Sequence, residues 1–361
     1  MNPGDLLLHL NPLLLLASLA MGALHLRDSD SEKRLLQRVS LGLLLGSLTA
    51  SLLLLGSYFY RTALEFEYVA DYSAVELPLR YKLAGVWAGR DGTLLIWCWA
   101  AALALNWELW RGSGAAAGGA RRRGDAHQHQ VFVLFTSGIL LALAAIQLAI
   151  NPFTLSDPLP TAGRGLNPLL QSPWMTIHPP IVFTAYGFAV PLYAAGLAAL
   201  VAHGDAWLDV GRRWARWFWL LTASALTMGG YWAYTTLGWG GFWAWDPVET
   251  SGLLPWLVGT TFLHTAVMGK RKRHYALLGP LLAMMVLLLV LFESFVTRGG
   301  IWLSVHAFLP SQGENAAQRF MSIIADDASV KGLVLLLGSC LAATGFTTAR
   351  AYSRAPPSEP Q

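Results

Sequence analysis

The chain has 361 residues, 55% of them hydrophobic and 13% charged, with a net charge of +4. Soluble globular domains carry about 25% charged residues, so this composition excludes an ordinary water-soluble domain and points to lipid as the main solvent. The two cysteines, Cys98 and Cys340, stand alone inside apolar stretches, which excludes a disulfide framework and any cysteine-spaced metal or redox motif.

A helix rises about 1.5 Å per residue, so about 20 apolar residues cross a hydrocarbon core of about 30 Å. Nine stretches meet that requirement in chain order: Leu6–Leu26, Val39–Tyr60, Thr93–Trp110, Val131–Ile150, Ile181–Ala202, Trp217–Thr236, Leu253–Gly269, Tyr275–Phe295 and Gly332–Thr348. The expected fold is therefore all-α, a polytopic transmembrane helical bundle of about nine spans forming a single membrane domain over residues 1–352. A signal peptide is the alternative for the first stretch. It lacks a basic leading region, carries Asp5 and is as long as a full span, which favours a retained helix.

Basic residues gather in cytoplasmic loops. With the N-terminus outside, the inner segments hold 17 Lys and Arg and the outer segments 8, so the expected orientation is N-terminus out and C-terminus in. The segment Gly112–Gln130, rich in Gly and Ala with an Arg run, reads as a flexible inner loop, and its His127 and His129 as solvated rather than metal-binding. The Pro-rich tail Ser353–Gln361 reads as disordered.

Nine of the 16 tryptophans lie between Trp207 and Trp256. Trp207, Trp214, Trp217 and Trp219 suit an interfacial aromatic belt. The run Gly238-Trp239-Gly240-Gly241-Phe242-Trp243-Ala244-Trp245 suits it less well, because Trp239, Phe242, Trp243 and Trp245 fall within seven positions. The interleaved Gly240 and Gly241 let the backbone approach a flat ligand. Two readings stand, a belt and a platform for a planar apolar group such as a porphyrin. Asp246-Pro247-Val248-Glu249 reads as a helix start, with Asp246 as N-cap, Pro247 at the first helical position and Glu249 reaching back, and neither carboxylate is assigned catalysis.

His178 precedes Pro179 and Pro180, a pair able to open the fifth span, and so lies at its outer lip. His306 follows the eighth span and also lies outside. Standing on either side of the tryptophan run, they could supply two axial nitrogens to one iron; plain polar surface residues are the alternative. His264 lies within the seventh span, where polar side chains usually mark function, although a packed neutral imidazole is a live alternative. Glu293 is a second intramembrane ionisable group, with Arg298 as its expected partner.

The stretch Trp239 to Glu249 resembles the tryptophan-rich WWD signature of haem-handling membrane proteins. Its Trp245-Asp246-Pro247-Val248-Glu249 ending resembles most the CcmF type of cytochrome c haem lyase. Further stretches agree: Asn167 to Gln171 leading to His178-Pro179-Pro180, Pro255 to Thr260 leading to His264, Arg298-Gly299-Gly300 leading to Ser304 to Phe308, and Leu77 to Lys82 through Trp97. The likeness covers about residues 75–310. It implies that His178 and His306 are axial ligands of a substrate haem on the outer face and that His264 is one ligand of an intramembrane haem b. It implies a cytochrome c haem lyase of the holocytochrome c synthase type in the bacterial cytoplasmic (inner) membrane, active face outward. Implied partners are a periplasmic haem chaperone, an apocytochrome c carrying Cys-x-x-Cys-His, and thiol-handling and apocytochrome-holding maturation subunits, with no nucleic acid. The family's longer members continue past this chain's last residue, where the second haem b ligand lies; the resemblance thus implies a short form, completed by a second chain or without haem b. Trp87-Ala88-Gly89-Arg90-Asp91-Gly92 departs from the family's Trp-Gly-Gly-His-Glu-Gly. A haem conduit that presents haem to a ligating chain is the alternative function.

Overall fold

The computed structural model describes residues 1–28, 30–118, 123–202, 204–238, 240–268, 275–299, 302 and 316–354. Its helices are α1 (Pro3–Asp28), α2 (Ser31–Arg61), α3 (Glu67–Tyr72), α4 (Leu79–Ala84), α5 (Arg90–Gly118), α6 (Arg123–Ala149), α7 (Pro173–Val201), α8 (Ala206–Thr236), α9 (Pro247–Met268), α10 (Tyr275–Gly299), α11 (Ala316–Asp326) and α12 (Ala328–Arg354). Short 3-10 turns occupy Gly85–Trp87 and Pro168–Leu170.

All nine expected spans are helical. Seven of them (α1, α2, α5, α6, α7, α10 and α12) are long and apolar enough to cross a membrane by length and composition. The other two, α8 and α9, are also long, but α8 begins with Asp209, Arg212, Arg213 and Arg216, and α9 opens on Pro247-Val248-Glu249. The described parts of the segment 112–130 are helical rather than the expected loop: α5 continues to Gly118 and α6 begins at Arg123, while the residues between them, 119–122, lie outside the described residues. The run Ala115-Ala116-Ala117 favours helix and extends α5. The tail expectation meets a helix that reaches Arg354; residues 355–361 lie outside the described residues.

Helix starts follow local chemistry. Asn2 and Asp5 form a reciprocal capping box around Pro3: the Asp5 amide donates to Asn2 Oδ1 at 2.9 Å and the Asn2 amide to Asp5 Oδ2 at 3.2 Å. The same two side chains tie α1 to the α6–α7 connection, through Asn2 Nδ2 to the Phe153 carbonyl at 2.8 Å and Asn151 Nδ2 to Asp5 Oδ1 at 2.5 Å. That connection, with α3 and α4, covers one end of the bundle, the capped end.

Small residues set the helix spacing. A Cβ on Gly187 of α7 would lie 2.4 Å from the Ala100 Cβ of α5, so the two backbones meet face to face. At the opposite end Gln128 stitches α6 to the α7–α8 turn, donating to the Ala202 and Gly204 carbonyls and accepting from the Trp207 amide. Beside it, the buried Glu108 of α5 accepts from Arg213 and, at 2.9 Å, from Trp214 Nε1, both on α8.

Candidate functional site

At the capped end a cavity of about 330 Å³ opens between α7, α8, α9, α10 and the start of α5. That volume lies at the lower end of the range of about 300–1,000 Å³ usual for cofactor and small-molecule pockets. Its room comes from α8, which turns Thr222, Ala225, Leu226 and Gly229 toward it at helical spacing, so mostly small side chains line that wall. Trp87, Trp174, Trp232 and Trp243 bring four indoles to its lining.

His178 stands on the α7 wall. Its helix starts earlier than the proline pair suggests: Ser172 caps it, its side chain accepting from the Trp174 amide at 3.4 Å, and Pro173 takes the first position. Pro179 and Pro180 are therefore interior and cannot donate to the carbonyls four residues back. The carbonyl that Pro179 leaves open, that of Met175, accepts from Trp87 Nε1 at 2.8 Å. An indole brought from 88 residues away thus completes the helix turn that carries His178. On its other side the imidazole lies against Gly229, where a Cβ would stand 3.0 Å from His178 Cε1 and 3.5 Å from Nε2. Gly229→Val is expected to push the ring out of place and weaken ligand binding at His178 about tenfold, ~1.4 kcal/mol, read by titrating the purified protein with haem. Unchanged affinity would contradict the contact.

The described rings of the tryptophan run, Phe242, Trp243 and Trp245, do not share one plane. Trp243 lines the cavity, and its buried Nε1 has no acceptor among the described residues. Trp245 is 72% exposed and stands edge-on to Trp243, with centroids 5.9 Å apart at 83°. Phe242 is exposed and stacks on Tyr234 of α8 at 4.5 Å. Gly240 takes φ +75°, a left-handed conformation glycine supplies without strain, while Trp245 takes φ +60° despite its Cβ. Gly241 sits beside them outside the cavity lining; Trp239 and His306 lie outside the described residues. The helix start beyond the run has the expected cap: Asp246 Oδ1 accepts from the Val248 amide at 2.9 Å. Glu249 reaches back beyond the cap, accepting from the Ala244 amide at 2.9 Å, and so pins the loop carrying Trp243.

His264 is on a different surface. It is exposed on α9, with Nδ1 2.8 Å from the Thr260 carbonyl. That contact makes Nδ1 the donor and leaves Nε2 with its lone pair. No group of three or more His, Cys, Asp or Glu suited to a metal ion occurs among the described residues.

Three cavity residues were flagged in the sequence without their true partners. Glu293 accepts from Tyr186 and, at 3.2 Å, from Thr297, not from Arg298. Arg298 instead donates to the Arg90 carbonyl at 3.3 Å and to Thr93 Oγ1 at 3.0 Å. Arg90, standing where the related motif has His, pairs with Asp327 just before α12. The five-residue offset from 293 to 298 turns the two side chains to different neighbours. Thr222, 5% exposed and with no partner for its Oγ1 among the described residues, and Tyr72 carried no signal in the sequence. Burial pushes the Tyr72 phenol above its ordinary range, keeping it neutral at the cavity edge.

The profile of the cytochrome c assembly protein family matches residues 124–301, the stretch from the start of α6 to the end of α10 that supplies most of this cavity. The chain is 31% identical over 258 residues to the cytochrome c-type biogenesis protein CcmF of Haemophilus influenzae, covering 68% of this chain and 38% of that protein. It is 35% identical over 252 residues to the probable cytochrome c-type biogenesis protein NrfE of Escherichia coli, covering 67% and 43%. The chain is a CcmF-type member of the cytochrome c assembly family. A solved structure of the cytochrome c heme lyase CcmF superposes with a TM-score of 0.66 over 98% of this chain and 55% of that one; at 21% identity this shows the shared fold. The matched stretch spans about two fifths of the length of these curated relatives. Its seven long apolar helices and its match to this family make it a multi-pass helical membrane protein.

Proposed function

We propose that the chain is a cytochrome c haem lyase, acting alone or within a complex, that holds substrate haem in the capped-end cavity for thioether attachment to apocytochrome c. The observation that carries this reading is the convergence of His178 with four indoles on one cavity. The lining fits such a group: it is mostly apolar and aromatic, and it carries two donors, Thr222 Oγ1 and Trp243 Nε1, without partners among the described residues. His178, and His306 beyond the described residues, would hold the iron. Thiol addition across a vinyl group forms a carbon–sulfur bond at the carbon next to the ring and moves the thiol proton to the terminal carbon. The thiols come from the Cys-x-x-Cys-His substrate. The contribution of this chain is orientation, which turns a bimolecular encounter into an effectively unimolecular one. Trp245, exposed and held at a left-handed φ, presents an apolar surface for the incoming apocytochrome.

The loop charges support a bacterial inner-membrane orientation with the capped end outward, where a periplasmic haem chaperone and the thiol-handling and apocytochrome-holding subunits would meet it. His264, with Nδ1 turned to the Thr260 carbonyl, would be the residue of this chain that holds an intramembrane haem b. With the outer site disabled, His264→Ala is expected to remove the remaining haem absorbance; unchanged haem content would refute that role.

Co-expression of this chain with an apocytochrome c and a haem source, in cells lacking their own maturation genes, tests the proposal. Covalent haem on the apocytochrome supports a lyase. Haem bound to the chain without thioether formation supports a conduit that serves another ligating chain. A purified chain with no Soret band even after haem addition would overturn both.

A further inference from the structure

We propose that Arg298 forms a carboxylate-binding subsite on the wall of the same cavity, so that the ligand is held at its iron by His178 and at an acidic edge by Arg298. This rests on the haem reading above and adds to it the orientation of the macrocycle.

Arg298, in the last turn of α10, is 6% exposed and lines the cavity. Its two hydrogen bonds go to neutral acceptors, the Arg90 carbonyl and Thr93 Oγ1. Its guanidinium carbon lies 5.7 Å from the Phe183 ring centroid. No ion pair to Arg298 occurs among the described residues. Asp91 and Glu293 act on it only from beyond contact distance. Glu293 is already occupied by two hydroxyls, from Tyr186 and Thr297, and Asp327 by Arg90.

A buried cation in that state is out of balance. Taking an ion out of water costs far more than a cation at a helix C-terminus regains from the dipole. Guanidinium carries five donors in a planar fork that matches a carboxylate, so the missing partner is an anion of that shape. Phe183 lies five residues beyond His178 along α7, about 7.5 Å of helix rise, the scale that separates the iron of a porphyrin from carboxylates carried on two-carbon side chains at its edge. An iron porphyrin with propionate side chains supplies both groups at once. The rival role for Arg298 is a structural pin between α10 and the start of α5.

The experiment titrates the purified full chain, followed by absorbance, with iron protoporphyrin and with its dimethyl ester, which lacks free carboxylates. Wild type is expected to bind the diacid at least about tenfold more tightly, ~1.4 kcal/mol. Arg298→Gln should bring the diacid to the level of the ester while leaving the ester unchanged; Arg298→Lys, with charge but no fork, should keep part of the preference. Equal binding of diacid and ester by wild type, which requires no variant to fold, overturns the subsite and leaves the haem reading intact. Arg298→Gln weakening both ligands equally shows a structural pin and also overturns it. Binding of neither ligand by wild type overturns the haem reading itself, and the subsite with it.

Discussion

Alanine at position 178 is expected to remove most haem from the capped-end cavity and to abolish covalent cytochrome c formation, with little loss of folded protein. The two effects separate because of where the residue stands. His178 lies past the first turn of α7, and the helix there is held by the Ser172 cap, by Pro173 and by the Trp87 bond to Met175, none of which uses the imidazole. Alanine is the best helix former, and the ring is only partly buried against Gly229. The expected stability change is therefore about 1 kcal/mol or less, the usual range for a substitution that opens no core cavity. Haem binding, by contrast, loses an iron–nitrogen bond for which no other described residue of the cavity lining offers an imidazole. Soret absorbance per protein, haem-stained cytochrome and thermal unfolding measure the three quantities on one preparation. Added imidazole should restore part of the absorbance by filling the vacated space. His306→Ala should match it if both rings serve one iron. Full maturation by His178→Ala would end the ligation proposal.

The largest expected effect on stability lies at the opposite end. Glu108 is 3% exposed and takes both Arg213 and Trp214 Nε1 of α8 onto one carboxylate oxygen. Glu108→Ala deletes that oxygen, opens a void and leaves a partly buried guanidinium without its anion. Breaking a buried pair in this way costs about 3–5 kcal/mol, here discounted toward the lower figure because Arg213 is 24% exposed and water screens part of the loss. Glu108→Gln retains an acceptor for Trp214 and should cost less, about 1–3 kcal/mol. Thermal unfolding in detergent, with the far-ultraviolet helix signal as readout, ranks the two. An alanine variant as stable as wild type would show that the α5–α8 contact does not depend on this carboxylate.

Both variants bear on what could be read from the chain before it folded. The spans were legible because transfer of a side chain to lipid depends on that residue alone, and about 20 apolar residues in a row leave little choice. Helix starts such as Asn2-Pro3-Gly4-Asp5 and Asp246-Pro247 were equally local, because a cap is made and satisfied within one turn. The reversal in reading was at α7: a Pro-Pro pair looks like a helix start, and its interior position depends on an indole that no local pattern announces. Likewise the tryptophan run was visible, yet only Trp243 among its described indoles reaches the cavity, while Trp87, Trp174 and Trp232 arrive from other elements. Glu293 and Arg298 stood out as ionisable groups in an apolar span, but five residues on a helix turn them to different partners.

Sequence by itself determined the solvent, the long helices, most of their boundaries and the residue types able to meet a flat iron-bearing ligand. Tertiary structure alone decided which of those residues face one space. The cavity is the gap left where five helices cross, and its walls depend on the rotation of each helix about its own axis. Those rotations are set by close contacts such as Gly187 on Ala100 and Gly229 on His178, between residues far apart in the chain. A pattern of 3.6 residues per turn fixes which side chains share a face, but only packing against neighbours fixes where that face points.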